Sequence, residues 1–138
     1  MGAALFPQSK TSEDGAASTA NTNTDGTTGT YTTLATGTAS GDKEVMYVSY
    51  MGDGTLTAGA LRFFVHDGTT AVLIGEVTVP PWTPRTAMPA IQNWKGVFVY
   101  TVNGKPQPIP LPTTSHTLKV STVVAETFRG IAHGREFA

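Results

Sequence analysis

The stretch Ala58–Val79 constrains the fold more than any other part of the chain. Two apolar runs, Leu61–Val65 and Val72–Val79, flank the turn sequence Asp67-Gly68-Thr69-Thr70. Asp-Gly between β-branched and aromatic runs is a strong hairpin signal, because glycine adopts positive φ without a steric penalty and aspartate tolerates it. We therefore expect a β-hairpin here, in the middle of an antiparallel sheet.

Alternation of side chains along these two strands predicts their faces. In the first run Leu61 and Phe63 lie on one face and Phe64 lies on the other. In the second run we expect Leu73 and Val77 to share a face.

The composition favours strands over helices and excludes several classes of protein. The chain has 138 residues, of which 14% are charged, with 15 Gly, 9 Pro and no Cys. One domain of this length buries roughly two-thirds of its unfolded surface. The absence of cysteine excludes disulfides and thiolate metal sites and fits assembly in a reducing cytoplasm. A net charge of −1 gives no basic field for nucleic acid, and no apolar run is long enough to span a membrane.

Five further segments are predicted to be strands, with tight turns between them. The ranges are Tyr31–Thr38, Glu44–Met51, Trp94–Val102, His116–Val123 and Glu126–His133. With the hairpin and a proline-rich edge segment, they make about eight strands. The fold class that we predict is all-β, an antiparallel β-sandwich or jelly-roll-like domain.

Prolines mark a crossover and an edge. Four prolines between Pro80 and Pro89 exclude a helix or a central strand there. Asn103-Gly104 predicts a type I′ turn, and Lys105–Pro112, with proline at every second position from 106, is expected to be an edge strand or a polyproline strap.

Several large aromatic side chains are candidates for contacts between subunits. Glu44–Met51 carries large side chains on both faces, so we expect one face to pack on the core and the other on a neighbouring subunit. The two tryptophans either cap the ends of the core or make contacts between subunits. The candidate interface residues of the domain are Tyr47, Tyr50, Trp82, Trp94 and Phe137.

Residues 1–30 are predicted to be an extended polar arm, and residues 31–138 the β-domain. From Gln8 to Thr30 no aliphatic or aromatic side chain is larger than alanine. Such a segment buries too little apolar surface to offset its ordering entropy, so alone it is expected to be a disordered tail. The alternative that we favour is an arm laid along a neighbouring subunit, anchored by Leu5, Phe6 and Pro7.

No catalytic, metal or cofactor motif is present. The sequence has no nucleophile elbow, no phosphate-binding loop and no pair of histidines at metal-ligand spacing. Catalysis would require His66, His116 and His133 to meet carboxylates in one cleft. Asp53 and Asp67 adjoin glycines in predicted turns, and a calcium loop needs more oxygen ligands close together. We expect a protein that is not an enzyme and needs no cofactor; sugar binding through exposed aromatic side chains stays open.

The second half of the chain resembles a family of small virion structural proteins of tailed bacteriophages. The resemblance rests on the order and spacing of five segments, none of them specific alone. They are Thr57–Thr69 (TAGALRFFVHDGT), Leu73–Val79, Thr83–Pro89, Leu111–Thr122 and Glu126–Gly134.

This resemblance implies a capsid decoration protein, or cement protein. Such a protein is a β-rich module, often a trimer, that binds the major capsid protein on the surface of the head and reinforces the shell. The implied location is the virion, after synthesis in the bacterial cytoplasm. The alternative is a module of a head spike, tail or fibre that binds a receptor or a host glycan.

Overall fold

A computed structural model describes residues 8–39, 42–84 and 93–137, with the backbone alone at positions 8, 9 and 137. Within these ranges the chain forms eleven strands and no helix, so the all-β prediction is confirmed. Three of the strands have only two or three residues. The strands are β1 (Gln8–Ala17), β2 (Thr32–Thr36), β3 (Lys43–Gly52), β4 (Gly59–His66), β5 (Ala71–Val79), β6 (Lys95–Phe98), β7 (Thr101–Val102), β8 (Lys105–Pro106), β9 (Ile109–Leu111), β10 (Thr117–Thr122) and β11 (Phe128–Phe137).

The strands form two main sheets and one ribbon. The first sheet has the order β1-β11-β3-β6, with β9 also paired to β3. The second sheet has the order β2-β10-β4-β5, and β7 and β8 form a separate two-stranded ribbon. Every pair of these strands is antiparallel.

The inward faces of the two sheets share one hydrophobic core. Phe63 of the second sheet stacks on Phe98 of the first, with ring centroids 4.2 Å apart and planes at 4°. Val48 and Leu118, one from each sheet, are fully buried in the same cluster. Removing these side chains from water is the main driving force for holding the sheets together.

The predicted hairpin is confirmed, but it lies at the border of its sheet. The carboxylate of Asp67 accepts hydrogen bonds from the backbone N–H groups of Thr69 and Thr70 at 2.8 and 2.7 Å, and Gly68 has φ of 99°. On one side β4 pairs with β5, and on the other with β10. Among the described strands β5 pairs with β4 alone, so the hairpin is not central.

A β-bulge in β5 corrects the predicted faces of that strand. Phe63 pairs with Gly75 and Phe64 with Leu73, which leaves Ile74 as an extra residue. Leu73 therefore shares the outer face with Phe64. Val77, which follows the bulge and pairs with Leu61, packs on the core. An inserted residue shifts the alternation by one position, and hydropathy alone does not reveal it.

A second bulge changes the face to which some of the side chains of β3 point. His133 pairs with Tyr47 and Gly134 with Val45, so Met46 is the extra residue. Val45 and Tyr50, which simple alternation places on opposite faces, both point into the core, and Tyr47 points outward. Tyr50 is 9% exposed and is therefore a core residue, which corrects its predicted place at an interface.

The proline-rich segment takes the predicted edge position. Ile109, Pro110 and Leu111 pair with β3 at the border of the first sheet, with the two aliphatic side chains buried. Asn103 and Gly104 have φ of 53° and 77°, the two positive values that a type I′ turn requires. The predicted strand before this turn is interrupted, because β6 ends at Phe98.

Residues 8–30 pack on their own domain, which corrects the prediction of a disordered tail and, for these residues, that of an arm laid along a neighbouring subunit. β1 pairs with β11 in an unbroken register of ten residues, from Gln8 opposite Phe137 to Ala17 opposite Phe128. Main-chain hydrogen bonds to the open edge of β11 stabilise a strand that has almost no apolar side chains of its own. Leu5, Phe6 and Pro7 lie outside the described residues.

A buried lysine joins the two sheets beside β1. Lys43 is 3% exposed, and its ammonium contacts the carboxylate of Glu13 and donates a hydrogen bond to the carbonyl of Thr36 at 2.8 Å. Glu13 also accepts a hydrogen bond from the N–H of Thr36 at 3.0 Å. Burial lowers the pKa of Lys43, and the Glu136 carboxylate opposes this shift. The link connects β1 and β3 of the first sheet to β2 of the second.

We predict that Glu13→Ala lowers the free energy of unfolding by about 1–3 kcal/mol, because Lys43 then stays buried without its carboxylate. The double variant Glu13→Ala/Lys43→Met should recover part of this loss, since it removes the unpaired charge. Urea unfolding measures both effects, with Lys10→Ala, exposed on the same strand, as the control. Equal stability of Glu13→Ala and the wild type would contradict the proposed link.

We also predict a specific response to acid at the hairpin turn. Hydrogen bonds from the backbone N–H groups of Thr70 and Thr69 lower the pKa of Asp67 from 3.8 to about 2. A carboxylate whose pKa is lower in the folded state stabilises the fold at pH values above its unfolded-state pKa. This contribution is lost as the pH falls towards the folded-state pKa of about 2. Thermal unfolding across this range should be less pH-dependent in Asp67→Asn than in the wild type or in the exposed control Asp42→Asn; parallel curves would refute the role of the turn.

Candidate functional site

Residues 18–31 cover the outer face of the second sheet. Phe64 points away from the core, yet it is fully buried. The ring of Tyr31 packs edge-on against Phe64, with centroids 5.1 Å apart and planes at 86°. Gly26, with φ of 75°, passes so close to Ala71 and Phe64 that a side chain there would collide with Ala71. The polar segment therefore covers the Phe64 region of the outer face of the second sheet.

Asn21 holds this covering segment together. Its side chain is 4% exposed, and its amide nitrogen donates hydrogen bonds to the carbonyls of Thr28 and Thr30 at 3.1 and 3.0 Å. Its amide oxygen accepts from the backbone N–H of Asn23 at 3.0 Å. The backbone N–H of Asn21 in turn donates to the carbonyl of Thr122 at 2.8 Å, which attaches the segment to β10.

Asp25 organises the turn within the same segment. Its carboxylate accepts hydrogen bonds from the hydroxyl and the N–H of Thr28 and from the N–H of Thr27. These bonds, with the Thr28 hydroxyl first, hold the pKa of Asp25 well below its usual value. Arg62 of the second sheet adds a hydrogen bond to the carbonyl of Thr22 at 2.9 Å.

We predict that Asn21→Ala loosens residues 21–31 and exposes Phe64, because it removes the hydrogen bonds that the Asn21 side chain makes with the carbonyls of Thr28 and Thr30 and with the N–H of Asn23. The cost should be about 1–3 kcal/mol in unfolding free energy. Hydrogen exchange should accelerate in this segment, whereas Thr24→Ala, at an exposed position, should leave it unchanged. Unaltered exchange in Asn21→Ala would contradict this account.

None of the described segments covers the outer face of the first sheet. We call this surface the open face; it carries the outward side chains of β1, β11, β3 and β6. Eight large hydrophobic residues are exposed among the described residues, and four of them belong here: Met46 (38%), Tyr47 (40%), Val97 (56%) and Ile131 (39%). Solvent-exposed apolar side chains gathered on one face mark an interaction surface more often than scattered ones do.

The open face contains a shallow depression of about 650 Å³. Ile131 and Val97 contribute its apolar side chains. Asp14 and Lys95 lie at its two borders, on β1 and β6. Arg129 also lines it and forms an ion pair with Asp53 at 3.0 Å.

Tyr47 and His133 form a second feature of the open face. Their rings are stacked, with centroids 4.5 Å apart and planes at 16°. The Nε2 atom of His133 lies 2.9 Å from the hydroxyl of Ser49. In the described ranges no carboxylate is hydrogen-bonded to His133, so the serine and histidine lack the acid that orients a catalytic triad.

The other two histidines lie elsewhere, near the hairpin turn. His66 accepts a hydrogen bond from the N–H of Gly68 at 2.9 Å, and His116 bonds to the hydroxyl of Thr113 at 2.8 Å. Asp67 is engaged by its own turn. Over residues 8–39, 42–84 and 93–137, no group of three or more histidine or acidic side chains is placed to hold a metal ion.

The predicted interface aromatics have different environments. Of the four whose side chains the structure describes, Tyr47 alone lies on the open face, where it is 40% exposed. Trp82 pairs with Leu56 through two backbone hydrogen bonds of 3.0 and 2.8 Å and packs on the core. Trp94 packs between Tyr50 and Phe128, at centroid distances of 5.1 and 6.2 Å. The backbone of Phe137 pairs with Gln8, and its side chain lies outside the described residues.

Sequence reasoning missed the covering segment and the exact composition of the open face. The signal for the first was present, because Asn21, Asn23 and Asp25-Gly26 are residues whose side chains typically bond to nearby backbone in turns. The composition of the open face depends on the bulge at Met46, and no single residue in the sequence indicates this bulge.

Comparisons with known proteins identify no relative of this chain. No family model, no curated protein and no solved structure matches the chain. In the part of the chain that the structure describes, there is no helix of the length and apolarity needed to cross a bilayer.

Proposed function

We propose that this chain is a non-enzymatic virion structural protein that decorates and reinforces a bacteriophage capsid. Its partners are the major capsid protein and further copies of itself, as a homotrimer on the surface of the virion. The observation that carries the proposal is the open face, a sheet surface on which four large hydrophobic residues are exposed: Met46, Tyr47, Val97 and Ile131. The resemblance of residues 57–134 to phage virion proteins supplies the class of assembly.

The architecture that we propose is a β-sandwich of the jelly-roll type. Two antiparallel sheets with a common core support this assignment. A body of this kind is a rigid block whose outer surfaces are available for contacts. Rigidity suits a protein that binds in many identical copies, because little ordering entropy is lost at each site.

Mass action explains how such a protein reinforces a shell. A subunit that binds the assembled, expanded shell and not its free components stabilises the shell by its binding free energy. The effect is repeated at every site, and a segment that bridges neighbouring subunits adds avidity. Because β1 pairs with β11 of its own chain, we assign the bridging role to the residues before Gln8, which include Leu5, Phe6 and Pro7.

The test uses expanded, undecorated heads assembled from the major capsid protein of the same virus. We predict that the full chain binds them at a fixed stoichiometry and raises the temperature at which they come apart, as measured by calorimetry. Deletion of residues 1–7 keeps β1 and should weaken binding while leaving the body folded. Absence of binding by the full chain would refute the proposal, and undiminished binding by the deletion variant would refute the bridging role.

A second candidate function is binding of a receptor or host glycan by a spike, tail or fibre module. The exposed ring of Tyr47, stacked on His133, favours it, because aromatic faces are common platforms for sugars. Trp82 and Trp94 pack on the core and are less suited to this role. On a glycan array a positive signal that Tyr47→Ala abolishes, without unfolding the chain, would favour this function over decoration.

A further inference from the structure

We propose that copies of this chain associate with each other through the open face, around a symmetry axis parallel to the strands of the first sheet. The inference deepens the proposed function, and it rests on that function for the expected number of three copies.

The area of the open face is sufficient for a specific contact. β1, β11 and β3 each have ten residues, and β6 has four. With strands about 4.8 Å apart and about 3.4 Å per residue, they cover roughly 600 Å² per subunit, or about 1,200 Å² for two copies face to face and about 1,800 Å² for three copies around the axis. Specific protein interfaces begin at about this size.

The open face exposes apolar side chains near its centre, which suits contact with an equally apolar surface of a second copy. Val97 is 56% exposed, and Ile131, on the central strand β11, is 39% exposed. On the outer face of the second sheet, by contrast, the chain covers Phe64 with its own residues 18–31. The same chain thus covers the Phe64 region of one outer face and leaves the other outer face accessible.

The charges at the two borders are complementary. Asp14 on β1 lies opposite Ile131, which lies opposite Ser49, which lies opposite Val97. Lys95 is two residues from Val97 on β6, so the acid and the amine lie on opposite borders of the face with an offset of about 7 Å along the strands, which the long lysine side chain can span. Both side chains are exposed and line the same depression.

This arrangement selects the orientation of the copies. Rotation about an axis parallel to the strands places the β1 border of one copy against the β6 border of the next. Asp14 of one subunit then faces Lys95 of its neighbour at every contact, in a two-fold or a three-fold assembly. An axis perpendicular to the strands within the plane of the face would place Asp14 against Asp14 and lose this pairing.

The test is a charge exchange in the full-length protein, measured by sedimentation velocity and native mass spectrometry. The wild type should be an oligomer, and Asp14→Lys or Lys95→Glu should each raise the dissociation constant by about tenfold or more, because like charges then face each other. The double variant Asp14→Lys/Lys95→Glu should restore association. Lys105→Glu, on the exposed ribbon, is the matched control and should have no effect.

A second pair of variants tests the apolar centre. Val97→Asp should disrupt the oligomer, whereas Val72→Asp, at a 60% exposed position on β5 of the second sheet, should not. Circular dichroism and thermal unfolding establish that each variant is folded. A monomeric wild type, or a double variant that fails to recover association, would overturn the inference.

The outcomes separate this inference from the proposed function. A chain that associates through the open face but does not bind heads refutes decoration and leaves the self-association surface standing. A chain that binds heads while remaining a monomer refutes the surface and leaves decoration standing. Binding of a glycan to a monomer that Val97→Asp abolishes would overturn the inference in favour of a sugar site.

Discussion

The whole structure depends on one constraint, that two consecutive phenylalanines on a single strand are both buried. Because side chains alternate in β4, Phe63 and Phe64 point to opposite faces. Phe63 requires the first sheet as its cover on the inside, and Phe64 requires something else on the outside. The chain meets the second demand with residues 18–31, and it is this requirement that gives a highly polar sequence a definite conformation.

The sequence was sufficient where local chemistry decides the conformation. The Asp67-Gly68 and Asn103-Gly104 turns and the edge position of the proline-rich segment follow from backbone preferences of individual residues. The bulges at Met46 and Ile74 were not predictable in this way, since each depends on how two strands fit together over their length. Because of the bulge at Met46, Val45 and Tyr50 both face the core, an arrangement that simple alternation does not predict.

The N-terminal segment, residues 8–31, was misjudged for a different reason. Hydropathy measures apolar burial, whereas β1 and the covering segment are held by main-chain hydrogen bonds and by the side chains of Asn21 and Asp25. A buried link between Glu13 and Lys43 adds an electrostatic contact that sequence spacing does not indicate, because the two residues are far apart in the chain. For the functional surface, residue types suggested exposed aromatics, but the topology alone determined that Tyr47 and not Tyr50 reaches solvent.

Among the described strands, β1 and β5 are border strands of the two sheets, and this has a consequence for how the chain behaves at high concentration. β1 ends the first sheet with Lys10, Glu13 and Asp14, charges that discourage a foreign strand from adding to it. β5 ends the second sheet with AVLIGEVTV, whose one carboxylate, Glu76, is already engaged by Arg62. Only the kink at Ile74 opposes extension there. Amyloid-like growth, if it is ever provoked by heat or partial unfolding, therefore starts from β5, and a lysine placed on that border is the natural remedy.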